Sequence, residues 1–465
     1  MGAEEEVSHC MQTEAVVAAT TAALAHTLSE QLQQFLDPLL CELDETADKR
    51  LVRTFAGTVQ AILQFRERGC GLLLSELGGV LLSPEHAPAG TKRLSNLLRS
   101  PKWHADQISD FIWNLAVARQ SELAAAAQDA LLLWDESVLE KPESIELCGL
   151  GSVRSSKSAR LTRIKPGFYN PPGGPPVFVP GLNWLAAVLI GRSGPPVLAS
   201  MRWWSTRGVL ASDCRTEEAL LLRDCAQTWG RGVIHIFDRG FAGGPWLTHL
   251  AGTSRYAPTG VAARFILRWR KDYQLLTPDG REMKAWEIAR GKPTQDRRLV
   301  PAKGGKMESH GVLALPVCHP DFPGPLWLVV ARPGSGRSPW YLLTNEPAQA
   351  VEQAWAVVFA YARRWQIEMV FRFGKSELAM QSPRLWSSSN RNKLLQMASL
   401  AHAFLLTLLR SEHKRLRDDL LDRCCHRTGK RSRETPAPLY RLRAALSHLW
   451  NRFFTPILPL LQNSG

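Results

Sequence analysis

Residues 361–375, YARRWQIEMVFRFGK, set a single carboxylate, Glu368, among three arginines and a lysine. Advancing about 100° per residue in a helix, Tyr361, Arg364, Glu368 and Lys375 fall within an arc of roughly 60°, with Arg372 close by. One helix face would thus present a phenol, guanidiniums, a carboxylate and an ammonium. An Arg364–Glu368 pair at i,i+4 on a solvated face, worth on the order of a few tenths of a kcal/mol, is the ordinary explanation. Tyr361 and Trp365 suit a solvated face poorly. The alternative is a carboxylate that holds a cation while its basic neighbours hold phosphates. Arg363 lies off the arc and is expected to be dispensable to such chemistry where Arg364 is not.

Two further carboxylates complete a chemical set. DALLLWDES (129–137) is an apolar run ending at Asp135, and GVIHIFDRG (232–240) is a second ending at Asp238. The carboxyl edge of strands in an open α/β sheet is where ligands and catalytic groups collect. One such aspartate alone is usually a turn residue or a helix cap. Asp135 and Asp238 with a carboxylate on a later helix are suited to metal-dependent phosphoryl transfer. Three carboxylates can hold two Mg2+ ions, with Mn2+ substituting, because these hard cations prefer oxygen ligands. One ion activates water or a 3′-hydroxyl and the other stabilises the leaving oxygen.

The elements that must position these residues can be read from periodicity. Residues 13–85 show apolar residues at three- and four-residue intervals, as in AALAHTLSEQLQQFLDPLL, and predict helices. TKRLSNLLRSPKWHADQISDFIWNLAVARQ (91–120) reads as a basic turn between amphipathic helices. PPGGPPVFVPGLNWLAAVLIGRSGPPVLASMRWW supplies strands, its glycines lacking the spacing of a phosphate-binding loop. TEEALLLRDCAQTW (216–229) predicts a helix. The stretch 255–340 carries fifteen Lys/Arg against seven Asp/Glu and alternates apolar runs with TPDG, PDFPG and RPGSG turns, a β-rich basic insertion. Helical periodicity returns at 348–375. The expected organisation is a helical N-terminal region over 1–120, an α/β catalytic core over 121–254 and 344–410, the insertion over 255–343, and a basic C-terminal region over 411–465.

The formal net charge is +14, although residues 1–50 hold ten Asp/Glu against two Lys/Arg. Residues 411–465 reverse the sign, with eleven Lys/Arg against five Asp/Glu. Such a basic body attracts polyanions, nucleic acid first. Nine scattered cysteines without CxxC spacing argue against a disulfide framework or structural zinc. LLQMASLAHAFLLTLL (394–409) is short for a membrane span and carries polar residues, so it reads as a buried helix. No membrane association is expected, and MGAEEEV is not a signal peptide.

The spacing Tyr361-x2-Arg364-x3-Glu368-x6-Lys375 resembles the Tyr–Arg–Glu–Lys signature of DDE transposases from bacterial insertion sequences, the broad family represented by insertion sequence four. WDES resembles that family's first-Asp motif and FDRGFAG its second. PWYLLTNEP sets Trp340 twenty-one residues before Tyr361. The resemblance covers residues 130–380. It implies a ribonuclease-H-like core interrupted by a β-rich insertion, with Asp135, Asp238 and Glu368 as metal ligands. It further implies that Tyr361, Arg364 and Lys375 contact phosphates near the transposon end, that Trp340 stacks on a flipped base, and that the N-terminal helices bind element ends. Arg372, close to the same face, is expected to contact DNA with them. The implied protein is a bacterial cytoplasmic, nucleoid-associated transposase, Mg2+-dependent. Acting as a homodimer on terminal inverted repeats and target DNA, it would cut and paste by way of a hairpin. A metal-dependent nuclease on the same fold, or a non-catalytic DNA-binding descendant, are the alternatives.

Overall fold

The computed structural model describes residues 2–142, 144, 147–155, 177–253, 259–301, 307–334, 336, 338–425, 438–454 and 456–457. The Pro/Gly-rich stretch before Val177, and the basic stretch 426–437, lie outside the described residues.

The N-terminal region is helical, as its periodicity predicts. It comprises α1 (Gly2–Asp44), α2 (Lys49–Gln64), α3 (Leu74–Leu81), α4 (Ala87–Arg99) and α5 (Ala105–Ala125). Asp48 caps α2 by accepting from the Leu51 amide at 3.0 Å, which satisfies one of the helix's free donors. The basic turn between α4 and α5 is held by Trp103, whose indole donates to the Leu97 carbonyl at 2.8 Å.

The chain then builds one large mixed sheet. Its elements are β1 (Ala130–Glu140), β2 (Gly151–Arg154), β3 (Phe178–Ile190), β4 (Val197–Trp204), α6 (Cys214–Trp229), β5 (Val233–Phe237), α7 (Gly244–Leu250) and β6 (Arg264–Arg268). These continue into β7 (Gln274–Leu276), β8 (Glu282–Lys284), α8 (Ala285–Ala289), β9 (Asp296–Pro301), β10 (Met307–His319), β11 (Phe322–Pro333) and β12 (Trp340–Thr344). The sheet runs β2-β3-β1-β5-β6-β12-β11-β10-β7-β8, with β4 on β3 and β9 on β10. β1, β5 and β6 are mutually parallel, and every other pairing is antiparallel. Helices α6 and α7 make the crossovers that parallel neighbours require.

The apolar run of β1 is continuous because both faces of the sheet are covered. Leu131 and Leu133 join the core beneath the Glu368-bearing helix, whereas Leu132 and Trp134 join the core beneath α6 and α7. β1 does not end at Asp135. It continues to Glu140 because β3 keeps pairing with it after β5 has stopped at Phe237. The strands read as a basic insertion continue the same sheet. β6 pairs with β5, β12 with β6, and the ladder runs on outward.

The C-terminal part comprises α9 (Val351–Ala362), α10 (Trp365–Ser376), α11 (Ser388–Thr407), α12 (Lys414–Cys424) and α13 (Leu439–Arg452). α11 contains all but the last two residues of the apolar run read as a buried helix, and residues 394–406 are all buried. Among the described residues no single helix is long and apolar enough to cross a membrane. The predicted continuous helix over 361–375 is in fact two. The amides of Arg363, Arg364, Gln366 and Ile367 all bond three residues back, a tightened 3₁₀-type turn that separates α9 from α10. Gly374 lets α10 press onto β3: a Cβ there would stand 2.7 Å from the Trp184 ring and 3.0 Å from the Met380 sulfur.

Candidate active site

Register brings the two aspartates together. β1 pairs with β5 through Leu133 opposite Ile236, so continuing the same offset sets Asp135 level with Asp238. Alternation along the strands gives both aspartates the face shared by Leu133 and Ile236, the face on which α10 packs. The next strand adds a residue that motif spacing did not single out. β5 pairs with β6 through Phe237 opposite Leu267, which sets Arg268 level with Asp238. Arg268 also reaches the hydroxyl of Tyr361. Its signal was available only after strand pairing was known: a cation ending a strand at the same sheet edge.

Arg364 ties the cluster together. Its Nη1 donates to Asp135 Oδ2 at 3.1 Å, and its Nη2 pairs with Glu368 Oε1. The Arg364 side chain is only 11% exposed, against 57% for Glu368, so this is not a solvated i,i+4 pair. Tyr361 donates from its hydroxyl to Asp238 Oδ1 at 3.4 Å. Lys375 donates to Ser137 Oγ at 2.7 Å, two residues along β1 from Asp135. The break between α9 and α10 therefore leaves Tyr361, Arg364, Glu368 and Lys375 facing one cluster. Trp340, half-buried at the start of β12, packs edge-on against Tyr361 at 5.3 Å and against His310 at the same distance. Arg372 is exposed one turn beyond Glu368. Arg363 points elsewhere and donates to the Gly194 carbonyl at 2.7 Å.

The electrostatics follow from burial and crowding of like charge. Burial pushes Asp135 up to about 6; Asp238 and Glu368 add to the rise, and Arg364 opposes it. Burial also pushes the Tyr361 phenol up to about 12 against the pull of Arg364. Burial pulls Arg364 down, but Tyr361, Asp238, Asp135 and Glu368 outweigh it and hold the guanidinium above its ordinary range. Beneath them His235 is held neutral, pushed down to about 3 by burial, and accepts from the Trp134 indole at 3.0 Å.

The donor set suits a hard divalent cation, being three carboxylates with no softer atom among them. With Arg364 in place, a guanidinium supplies the positive charge between Asp135 and Glu368. The trio whose ligand atoms all lie within 4.8 Å of one another, among the described residues, is a different one: Glu136, Cys214 and Glu218. It lies on the opposite face of β1, where α6 packs. Its thiol donates to Glu136 at 2.6 Å and to Glu218 at 3.4 Å, while Arg215 pairs with Glu218 at 2.7 Å. Burial raises the Cys214 thiol and pushes Glu218 up to about 7, and the hydrogen bonds of the cluster are made among its own members and Arg215.

Residues 210–406 match the family model DDE_Tnp_1, described as transposase DDE domain. The matched region holds Asp238, Arg268, Trp340, Tyr361, Arg364, Glu368 and Lys375, while Asp135 lies before it. The match makes this stretch of 197 residues similar to the DDE domain of transposases. The chain is also similar to the cryo-EM structure of a piggyBac transposase synaptic complex with hairpin DNA. Identity is 12% and the TM-score 0.40, covering 95% of this chain and 82% of that one.

Proposed function

We propose that the chain performs cut-and-paste transposition of an insertion sequence of the kind represented by insertion sequence four, with Asp135, Asp238 and Glu368 as its catalytic carboxylates. The observation that carries this reading is the bridge of Arg364 between Asp135 and Glu368, with Asp238 level with Asp135 and bonded to Tyr361. Residues from β1, the end of β5 and two helices meet at one sheet edge, which a merely structural ion pair does not require. The core is read as ribonuclease-H-like. Its support is the five-strand run β4-β3-β1-β5-β6, in which β5 and β6 run parallel to β1 and β3 antiparallel to it.

In this reading Asp135, Asp238 and Glu368 hold divalent metal ions, Mg2+ with Mn2+ substituting. When bound, such ions supply Lewis-acid polarisation of the phosphodiester and a more acidic attacking hydroxyl. Arg364 swings from the carboxylates to the incoming strand as their charge is taken up. Lys375 on α10 and Arg268 at the end of β6 flank the carboxylates and grip adjacent phosphates, and Arg372 extends that grip along α10. Tyr361, braced by Trp340, orients Asp238 and meets the DNA backbone. Trp340 stacks on an extruded base only after its edge contact with Tyr361 opens.

Four in-line displacements follow. Water attacks phosphorus at the element boundary, the P–O3′ bond breaks, and a 3′-hydroxyl is released with its proton. That hydroxyl attacks the opposite strand, closing a hairpin and releasing the flanking DNA, and a second water reopens the hairpin to free the 3′-hydroxyl again. It then attacks a target phosphodiester, forming a new P–O3′ bond as the target's own 3′-oxygen leaves. Two ends must be brought together, so the working form is a dimer on terminal inverted repeats. The domain roles follow the sequence divisions, with 1–120 and 411–465 holding DNA. The test is Mg2+- or Mn2+-dependent cleavage of DNA carrying the element's ends, followed by strand transfer from a pre-cleaved end. Cleavage without strand transfer makes the chain a nuclease. Undiminished cleavage by Asp238→Asn protein sinks the assignment.

A further inference from the structure

The helical region contains a cleft that the proposed chemistry does not use. It has a volume of about 570 Å3 and lies along one face of α2. Arg50, Arg53, Gly57, Gln60 and Gln64 line it at three- and four-residue spacing, about 21 Å from end to end at 1.5 Å per residue. The end of α3, including Leu81, forms an apolar wall, and the segment after α13, including Phe454, closes the far side. Gln60 ties that segment in place by accepting from the Ile457 amide at 3.3 Å.

The two ends of the cleft differ in chemistry. Lys49, Arg50, Arg53 and, from α4, Arg93 line it, and none of the four has an ion-pair partner among the described residues. The nearby carboxylate of Asp48 is already engaged by Lys102 and by the Leu51 amide. At the other end Gln64 is only 8% exposed. Its Nε2 donates to Asn451 Oδ1 at 2.9 Å, which leaves Oε1 as an acceptor without a donor. Phe454, 53% exposed, also lines the cleft, with Leu81. A suitable ligand carries negative charge at one end, an N–H donor at the other and a flat apolar ring, within the size of a small-molecule site.

We infer that this cleft binds a nucleotide unit of a DNA strand lifted out of the double helix. Its phosphates lie on Arg50, Arg53 and Arg93, its ring lies against Phe454, and its base N–H is directed at Gln64. The cations spread over two helices, which suits the successive phosphates of a strand better than one compact anion. The inference rests on the reading of the chain as a DNA transposase but assigns a site away from the carboxylates.

The experiment uses the full chain and a single-stranded DNA oligonucleotide bearing iodouracil, crosslinked by light and mapped by peptide mass spectrometry. Crosslinks are expected within α2 or at Phe454. In fluorescence anisotropy, Arg50→Ala/Arg53→Ala, two exposed residues without ion-pair partners among the described residues, weakens strand binding about tenfold or more. It also lowers the salt slope by about 1.4, the counterion release of two single-strand phosphate contacts. Gln64→Leu weakens binding of the base-bearing strand and leaves an abasic strand unaffected. Crosslinks confined to other regions, or unchanged affinity and slope in the double variant, overturn the inference. So does displacement of the strand by dATP with no gain in affinity from strand length, which makes this a free-nucleotide site. None of these failures touches end cleavage, which is decided separately by Asp238→Asn.

Discussion

The Arg364 guanidinium lies between two carboxylates from distant parts of the chain, donating to Asp135 on β1 and to Glu368 one turn along its own helix. The pairing neutralises two acids that like-charge repulsion would otherwise push apart. Asp135→Asn, Asp238→Asn and Glu368→Gln are each expected to lower DNA end cleavage by about a thousandfold or more, with DNA binding retained, as loss of a transition-state interaction. Gel assays of cleavage beside anisotropy of binding separate the two. Arg364→Ala is expected to lower cleavage by about a hundredfold or more, since a group aimed at developing charge contributes on that scale.

Arg268 has the same exposure to test. Level with Asp238 and beside the Tyr361 hydroxyl, it is positioned to hold a phosphate next to the reacting one. Arg268→Ala is expected to reduce cleavage by about ten- to a hundredfold, and Arg268→Lys to recover only part, because an ammonium cannot reproduce bidentate contact. Single-turnover rates with the two variants check this. Equal rates for Arg268→Ala and the parent chain would remove Arg268 from the site.

Arg363 should behave oppositely to its neighbour. Its guanidinium reaches the Gly194 carbonyl in the turn between β3 and β4, and burial pulls it below its ordinary range. Arg363→Ala is expected to cost about 1.5 to 3 kcal/mol of stability through a lost hydrogen bond from a charged donor. Its cleavage rate per folded molecule should stay within about twofold of the parent, far from the loss expected at Arg364. Urea unfolding alongside cleavage rates distinguishes the two effects.

Acid should destabilise the core through buried imidazoles. Burial pushes His402 down to about 3, with Arg443 adding to the effect, and burial alone does the same to His235. The unfolded chain takes up protons near the ordinary histidine value and the folded chain does not. Stability is therefore complete above about pH 6.5 and falls as pH drops from there toward 3. At about pH 5.5 each histidine accounts for a loss of about 1.4 kcal/mol. His402→Leu removes one share, so its melting temperature should fall less steeply with acid than that of the parent. Melting curves at several pH values test this, and parallel slopes for the two proteins would count against it.

The parts of the site that depend on local pattern were legible in the sequence. Apolar runs placed Asp135 and Asp238 each at the end of a strand, correctly for the second only, and 3.6-residue spacing put Tyr361, Arg364, Glu368 and Lys375 on one side. Where pairing partners decide the outcome, the sequence was silent. β1 runs past Asp135 because β3 is there to bond it, and Arg268 enters the site because β6 lies beside β5. The helix break at Arg363 carries no proline or glycine to announce it. Phosphate-binding patterns alone could not find the α2 cleft, whose walls come from residues more than 350 positions apart, from Lys49 to Phe454.

The shared sheet has a mechanical consequence. β6 bonds β5 on one edge and β12 on the other, so the basic strands beyond it cannot swing relative to Asp238 without breaking backbone hydrogen bonds. A closing flap needs a loose seam, and this connection has none. The strands from β12 outward act instead as a fixed gauge: whatever length of DNA rests on them meets the carboxylates at a distance measured in strand widths of about 4.8 Å.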